Sequence, residues 1–557
     1  MNTQKLILIF SVAFALILVA CQPANNVAPT TTADTPDTPS VVRIGWAGSP
    51  DSLNPGVAIF SRSYTIFEMV YDSLMRLELD GTYAPELAES YTASEDGLVW
   101  TFKIRPNIQW HDGTPLTAHD IAFTYNFYQT HEDFPYLPVY TTSFASAEAP
   151  DDTTFVLTLT EPLPNLFSQL IYLYVLPEHL WSGLEGSAAA EFQNTDMIGS
   201  GPFTLVEFIP DEFVHLKANP NYYAAGPKID EVIFQTYTQP DVLAQALVTG
   251  QVDLITEIQG TAVASLKNAE NVAVVGGAPL FLETTYISFN QIDPENCLEG
   301  TTCSGHPALR DRTVRLALAH ATDKQKIIDI TMLGQASPGL NLIPRGQVPW
   351  FNDSIQDYAY DVALANQLLD DAGYLDTDKD GIREMPGGGQ PLIFRAFGPN
   401  DMVYVPRMAE LTNEMWLEVG VKLDIQIFDP DSLWSICCPE HDFDILFWGW
   451  ASDPDPKNLL NVMVSTEIES GNNDTGYFNP TYDDLYAQQA VELDPEKRKA
   501  LIWQMQQLMF DDVAYLVPFY PNATQAYRTD RFTGWLTQAN RIALEDISSL
   551  LVITPVK

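Results

Sequence analysis

The stretch Pro85–Phe127, PELAESYTASEDGLVWTFKIRPNIQWHDGTPLTAHDIAFTYNF, carries most of the punctuation of a β-then-α unit. Tyr91–Ser94 and Leu98–Ile104 read as two strands joined by the polar turn Glu95-Asp96-Gly97. In the second strand Trp100, Phe102 and Ile104 alternate with Thr101, Lys103 and Arg105, which gives one apolar face and one wet face. Pro106-Asn107 breaks the strand, and Asp112-Gly113 supplies another turn. Thr117 with Asp120 three residues on has the form of a capping box with the shorter acid in place of Glu. A helix bearing Ile121, Phe123, Tyr125 and Phe127 is predicted to follow.

Working outward, Val41–Trp46 reads as a strand running into the turn Ser49-Pro50-Asp51-Ser52-Leu53-Asn54-Pro55, and Ile66–Leu74 as a helix. Phe155–Leu159 belongs to a second hairpin, with a helix around Leu166–Leu176. Ile229–Tyr237, a helix from Asp241 to Gly250 and Val252–Ile255 form a βαβ unit, so parallel pairing is expected. Tyr286–Asn290 opens a second α/β segment with predicted helices Leu309–Leu333, Asp361–Ala372, Glu410–Val419, Asp483–Asp494 and Glu496–Phe510. Leu516–Tyr520 and the strands beyond it are expected to return to the first segment.

The opening stretch resembles the signature of the family 5 extracellular solute-binding proteins, the peptide- and nickel-binding components of ABC importers. The matching positions are Leu87-Ala88 and Ser90, Asp96-Gly97, Thr101-Phe102, Arg105, His111-Asp112-Gly113 and Thr117-Ala118. Gly199-Ser200-Gly201-Pro202-Phe203 is similar to the family's glycine-rich element, with Ser200 replacing Thr. Gly250–Ile255 and the helix positions Asp311, Val314, Arg315, Ala317 and Asp323 extend the likeness, which runs over residues 41 to 540. The resemblance implies an α/β fold of two lobes, the Venus-flytrap arrangement of type II-like binding proteins, with an extra small α+β subdomain. It places lobe I at 41–76, 197–280 and 515–557, the subdomain at 77–196 and lobe II at 281–514. It implies a monomeric receptor that closes on a solute and delivers it to permease subunits. An oligopeptide is the first expectation for that solute, with an oligosaccharide or another small solute as the alternative.

Composition agrees with a large globular protein kept outside nucleic-acid biology. Of 557 residues, 46% are hydrophobic and 18% charged, and 73 acidic against 28 basic side chains give a net charge of −45. That field repels phosphates and favours cationic ligands. Leu6–Val19 is an apolar run too short for a membrane span, and it ends in Leu18-Val19-Ala20-Cys21. This end resembles a lipobox, so residues 1–20 are expected to be a signal peptide and Cys21 a lipidation site. Residues 21–40, rich in Pro, Thr and Ala, read as a disordered tether. The expected location is therefore extracytoplasmic, anchored to the membrane by lipid.

Four further cysteines, Cys297, Cys303, Cys437 and Cys438, allow three pairings in an oxidising compartment. Cys297–Cys303 closes a short loop flanked by Gly300 and Gly305 and is the expected bond. Asp376, Asp378, Asp380, the Ile382 carbonyl and Glu384, with Gly381 at the turn, follow the start of a calcium loop. Its twelfth position is Gly387 in place of the bidentate acid, so an ion there would be accessory; no cofactor is required. Trp448-Gly-Trp450-Ala-Ser-Asp453-Pro-Asp455-Pro follows the apolar run Ile445–Phe447 and is read as leaving a strand end, where α/β clefts bind ligands. The resemblance assigns the Asp453 carboxylate to a peptide's α-amino group and Trp450 to the cleft wall, and adds Trp448, Asn290 and Gly201 as expected contacts. No nucleophile elbow, HExxH or SxxK constellation is present, so an enzyme is not expected. A secreted peptide or glycan hydrolase is the rival from another class.

Overall fold

The computed structural model describes residues 39–557 apart from 132, 259, 280–281, 439 and 538–540. The predicted signal segment and Cys21 lie outside the described residues, as does the tether up to residue 38.

Two mixed sheets form the lobes. In the first, strands run in the order Val272–Gly277, Ala523–Arg528, Leu254–Ile255, Val41–Trp46, Glu231–Thr236, Phe213–Ala218 and Phe203–Ile209. Val41–Trp46 is central, with strands on both sides, and Val42, Ile44 and Trp46 on one of its faces are all buried. It pairs in parallel with Glu231–Thr236 and Leu254–Ile255, and helix Pro240–Val248 makes the crossover between those two. The predicted βαβ unit is therefore present.

The second sheet has the order Ala336–Pro338, Tyr515–Pro521, Leu282–Phe289, Ile445–Ser452, Ile393–Pro399 and Lys422–Phe428. The chain passes between sheets twice, after Gly277 and again at Asn522, which alone separates Pro521 from Ala523. The strand near Leu516 thus belongs to lobe II, and the return to lobe I occurs seven residues later than the expected boundary of 515. The reason is a partner already in place: Tyr515–Pro521 pairs with both Leu282–Phe289 and Ala336–Pro338.

The subdomain is a four-stranded antiparallel sheet, Ala88–Ala93, Val99–Ile104, Thr154–Leu159 and Phe144–Asp151, with helix Ala118–Thr130 packed on it. The predicted capping box forms: Thr117 Oγ1 accepts the His119 N–H at 3.2 Å, and Asp120 Oδ2 accepts the Thr117 N–H at 2.9 Å. Ile121, Tyr125 and Tyr128 of this helix are fully buried.

Five predicted helices are shorter, displaced or divided; that at 410 begins earlier, at Val405, and that at 483 runs Pro480–Gln489. The first runs Ser61–Val70 and stops at Tyr71, whose backbone is extended. That at 166 ends at Leu170. The single helix Leu309–Leu333 is two, Arg312–His320 and Lys324–Thr331, because Asp311 and Asp323 each cap a new N-terminus, accepting from Thr313 N at 2.8 Å and Lys326 N at 3.0 Å.

Candidate functional site

Strand Ile445–Ser452 stays paired with Leu282–Phe289 through Ser452, opposite Leu282, so Trp448 and Trp450 lie inside the strand and not beyond its end. Both indoles are half-buried against an aromatic cluster of lobe II that includes Tyr286 and Tyr482. The strand ends immediately before Asp453, and the turn that follows is fixed by its second acid. Asp455 accepts two hydrogen bonds from Arg498, at 2.6 and 2.8 Å, with both side chains at most 4% exposed. Arg498 also lies 4.9 Å from the Trp350 ring centroid and donates to the Gln489 carbonyl. This bidentate pair ties the turn to helix Pro495–Asp511.

Asp453 stands on that clamped turn. Its carbonyl accepts from Gln347 Nε2 and from Ser452 Oγ, and Asn458 Nδ2 donates to its carboxylate. Within its electrostatic reach from the subdomain are Tyr140 and Tyr172, stacked with centroids 5.1 Å apart and planes at 22°. Burial first, and then the Asp453 charge, pushes the pKa of both tyrosine hydroxyls up, so they stay neutral donors. Burial pushes the Asp453 carboxyl up from its ordinary range, the Asn458 hydrogen bond opposes this, and Asp455 adds to it. A partly desolvated carboxylate within reach of two phenol hydroxyls suits an ammonium group. The subdomain approaches lobe II closely at two glycines: a Cβ on Gly97 would stand 2.5 Å from Leu493 Cδ1, and one on Gly81 would stand 3.3 Å from Pro349 Cδ.

Asn290 and Gly201 are placed elsewhere. The Asn290 amide donates to the His441 and Phe443 carbonyls at 2.9 and 2.7 Å and its oxygen accepts from Ile292 N, so it is committed to lobe II backbone. Gly201 donates to Val70 O at 2.9 Å and accepts from His111 Nε2 and Asn219 Nδ2, each at 3.0 Å. A Cβ at Gly201 would stand 2.7 Å from Met69 O, so glycine is required there by packing against the first helix. Neither residue offers a group to a ligand. The turn after the first strand borders a groove of about 680 Å³ lined by Asp51, Phe60, Arg62 and Pro210 among others.

Tyr140 and Tyr172 carry no motif and could not be found in the sequence; only the fold stacks them within electrostatic reach of Asp453. Asp376, Asp378, Asp380 and Glu384 bring one carboxylate oxygen each within 4.8 Å of the others. Gly381 N donates to Asp376 Oδ2 at 3.1 Å, and Glu384 accepts from Thr377 N at 2.8 Å. The donor set is all oxygen, which suits a hard cation. Cys297 is bonded to Cys303, and Cys437 to its neighbour Cys438.

Two α/β lobes joined by two crossings, with a small subdomain beside them, define a two-lobed binding protein. The sequence comparison sets its family: residues 82–471 match the bacterial extracellular solute-binding proteins, family 5 (middle region), and the chain belongs to that family. It is 26% identical over 497 residues to the dipeptide-binding protein of Escherichia coli K12, covering 84% of this chain and 87% of that protein. It is also 26% identical over 555 residues to heme-binding protein A of Haemophilus influenzae, covering 94% and 95%. The crystal structure of the ABC transporter substrate-binding protein CtaP of Listeria monocytogenes superposes with a TM-score of 0.77 at 27% identity, over 93% of this chain and all of that one.

Proposed function

We propose that the cleft takes an oligopeptide by its α-amino end at Asp453, and that the closed protein delivers it to an ABC permease. The observation that supports this reading is the position of Asp453: a half-buried carboxylate just past a strand end, held on a clamped turn and within electrostatic reach of two stacked tyrosines of the subdomain. The name of the Escherichia coli relative supports it. Binding one end of the ligand from lobe II while the tyrosines approach from the subdomain makes affinity depend on closure, and closure is what a permease can read. The chain acts as a receptor that returns its ligand unchanged.

The test is calorimetric titration of a peptide selected from a tetrapeptide library. Asp453→Asn keeps the shape and removes the charge, and should weaken binding at least about a hundredfold, roughly 2.7 kcal/mol. Equal affinity for the variant would exclude an ammonium at this carboxylate and favour an oligosaccharide or another neutral solute.

The same reading includes a lipid anchor at Cys21 and a monomeric receptor at the membrane surface. Cys21→Ser should move the protein into the soluble fraction, and unchanged membrane partition in that variant would refute the anchor. It also includes an accessory calcium ion at Asp376, Asp378, Asp380, the Ile382 carbonyl and Glu384.

A further inference from the structure

The two central strands of lobe II open to solvent at one place. In Leu282–Phe289 every residue is buried except Glu283, and in Ile445–Ser452 the one exposed residue is Ala451. The register sets these two opposite each other, one pair from the point where Leu282 faces Ser452 and the ladder stops. Further along the same face the sheet is covered: Ile287, Phe289, Ile445 and Phe447 are buried in the lobe II core. The opening is thus a window at the end of a packed sheet, and it lies two residues short of Asp453.

Its borders are small or largely apolar. Next along the same face, Thr285 is paired with Gly449. A Cβ on Gly449 would stand 3.5 Å from Met402 Cε, which places the thioether over the glycine. Thr285 Oγ1 and the Tyr404 hydroxyl are 3.0 Å apart, so Tyr404 closes the inner end. This lining suits the methylene stem of a long polar side chain. Glu283 itself is uncommitted: among the described residues no cation pairs with it and no donor reaches its carboxylate. Burial alone pushes its carboxyl up from the ordinary range. By contrast Asp453 holds Asn458 and Asp455 holds Arg498. Strand propensity gives no reason for an acid in the middle of this sheet, whereas a partly desolvated, unpaired carboxylate gains much from an arriving cation.

We propose that Glu283 receives the basic side chain of the ligand's first residue, so that the cleft selects peptides beginning with lysine or arginine. This rests on the reading of Asp453 as the site of the α-amino group. In a regular ladder a residue lies about 7–8 Å from the neighbour two places along the facing strand. Asp453 stands in that relation to Glu283, two residues beyond Ala451. The α-amine and the terminal charge of an extended lysine or arginine span a comparable distance, so one residue meets both acids. Its stem then lies over Ala451, Gly449 and Met402. A neutral first residue leaves Glu283 unpaired, and that difference is the source of the selectivity.

The test retains random tetrapeptides with free ends on the purified protein and sequences the bound pool position by position. Wild type should enrich lysine and arginine at the first position about tenfold over their share of the library. Glu283→Gln should still retain peptides but bring that enrichment within about twofold of unity, and Glu283→Lys should deplete basic residues there. Calorimetric titration of the most enriched peptide and its analogue with norleucine at position one should give the same contrast as a ratio of dissociation constants. Asp453→Asn should weaken both peptides and leave their ratio unchanged. Ligand-free Glu283→Gln should melt as wild type does, because it removes no contact. No basic enrichment at the first position of wild type, or an enrichment that survives in Glu283→Gln, overturns the proposal and leaves Asp453 as the ammonium site. A ratio that falls in Glu283→Gln only together with the ligand-free melting temperature assigns Glu283 to structure and overturns it as well. Retention of no peptide by a protein that melts cooperatively overturns the peptide reading and this proposal together.

Discussion

Asp455→Asn should be among the most damaging single-atom changes outside the hydrophobic core. The carboxylate receives two charged hydrogen bonds from Arg498, at 2.6 and 2.8 Å, and neither side chain is more than 4% exposed. With the amide in place, Arg498 keeps only Gln489 and the face of Trp350, neither of which carries charge. Breaking a buried pair from one side costs about 3–5 kcal/mol, chiefly because the remaining ion is stranded. Arg498→Met should cost a similar amount by stranding Asp455. The double variant Asp455→Asn/Arg498→Met strands nothing, so it should be more stable than the sum of the singles by about 2–3 kcal/mol. Urea unfolding followed by tryptophan fluorescence reads these differences as shifts in midpoint at constant slope. Peptide affinity should fall with Asp455→Asn as well, since Asp453 depends on the same turn. Singles that lose less than about 1 kcal/mol, or a double variant equal to their sum within about 0.5 kcal/mol, would refute the argument that an isolated buried ion is the dominant cost.

Two further outcomes follow from the acids. Burial pushes Asp72 and Asp474 up to about 6 and Glu545 up to about 7, from unfolded values of 3.8, 3.8 and 4.5. The folded state holds these protons more tightly, so their stabilisation is complete below about pH 4 and is lost as pH rises through 6 to 7. Melting of the ligand-free protein should accordingly be higher at pH 5 than at pH 7.5, and Glu545→Gln should reduce the difference; a protein more stable at pH 7.5 would contradict this. If calcium occupies the loop at Asp376, a chelator should lower the melting temperature, with about 2.7 kcal/mol at stake at a hundredfold excess of ion over its dissociation constant. Asp380→Ala should abolish that response, and identical melting with and without chelator in metal-free wild type would leave the loop a bare turn.

Local features were legible in the sequence where the cause is local. The Thr117–Asp120 box, the alternation at Trp100–Ile104 and the helix Pro495–Asp511 depend on neighbours in the chain, and all appear with ends within a residue or two of expectation. The long helix from Leu309 failed because a continuous apolar period hid two aspartates that restart it. Trp450 was placed beyond a strand end because only the partner strand, far off in sequence, extends the ladder to Ser452. Asp453 is proposed as a contact on local grounds, since it follows a strand and matches a spacing. The pairing of Tyr140 with Tyr172 could not be read in this way, because it depends on residues far apart in the chain. Asn290 and Gly201 show the opposite error: polarity or absence of a side chain suggested a ligand, while backbone packing consumes both.

The late return of the chain to lobe I also sets an order of assembly. Strand Ala523–Arg528 sits between Val272–Gly277 and Leu254–Ile255, and among the described residues it is the only strand partner that Val272–Gly277 has in that sheet. Lobe II, by contrast, is complete once Pro521 is available. During synthesis or passage through a membrane from the N-terminus, the part that begins first must therefore finish last. It waits with an open sheet edge for a strand that arrives close to the end of the chain. Truncation just before Ala523 should leave a sound second lobe joined to an unfinished first one, and any helper that shields unpaired edges would find its target in the N-terminal half.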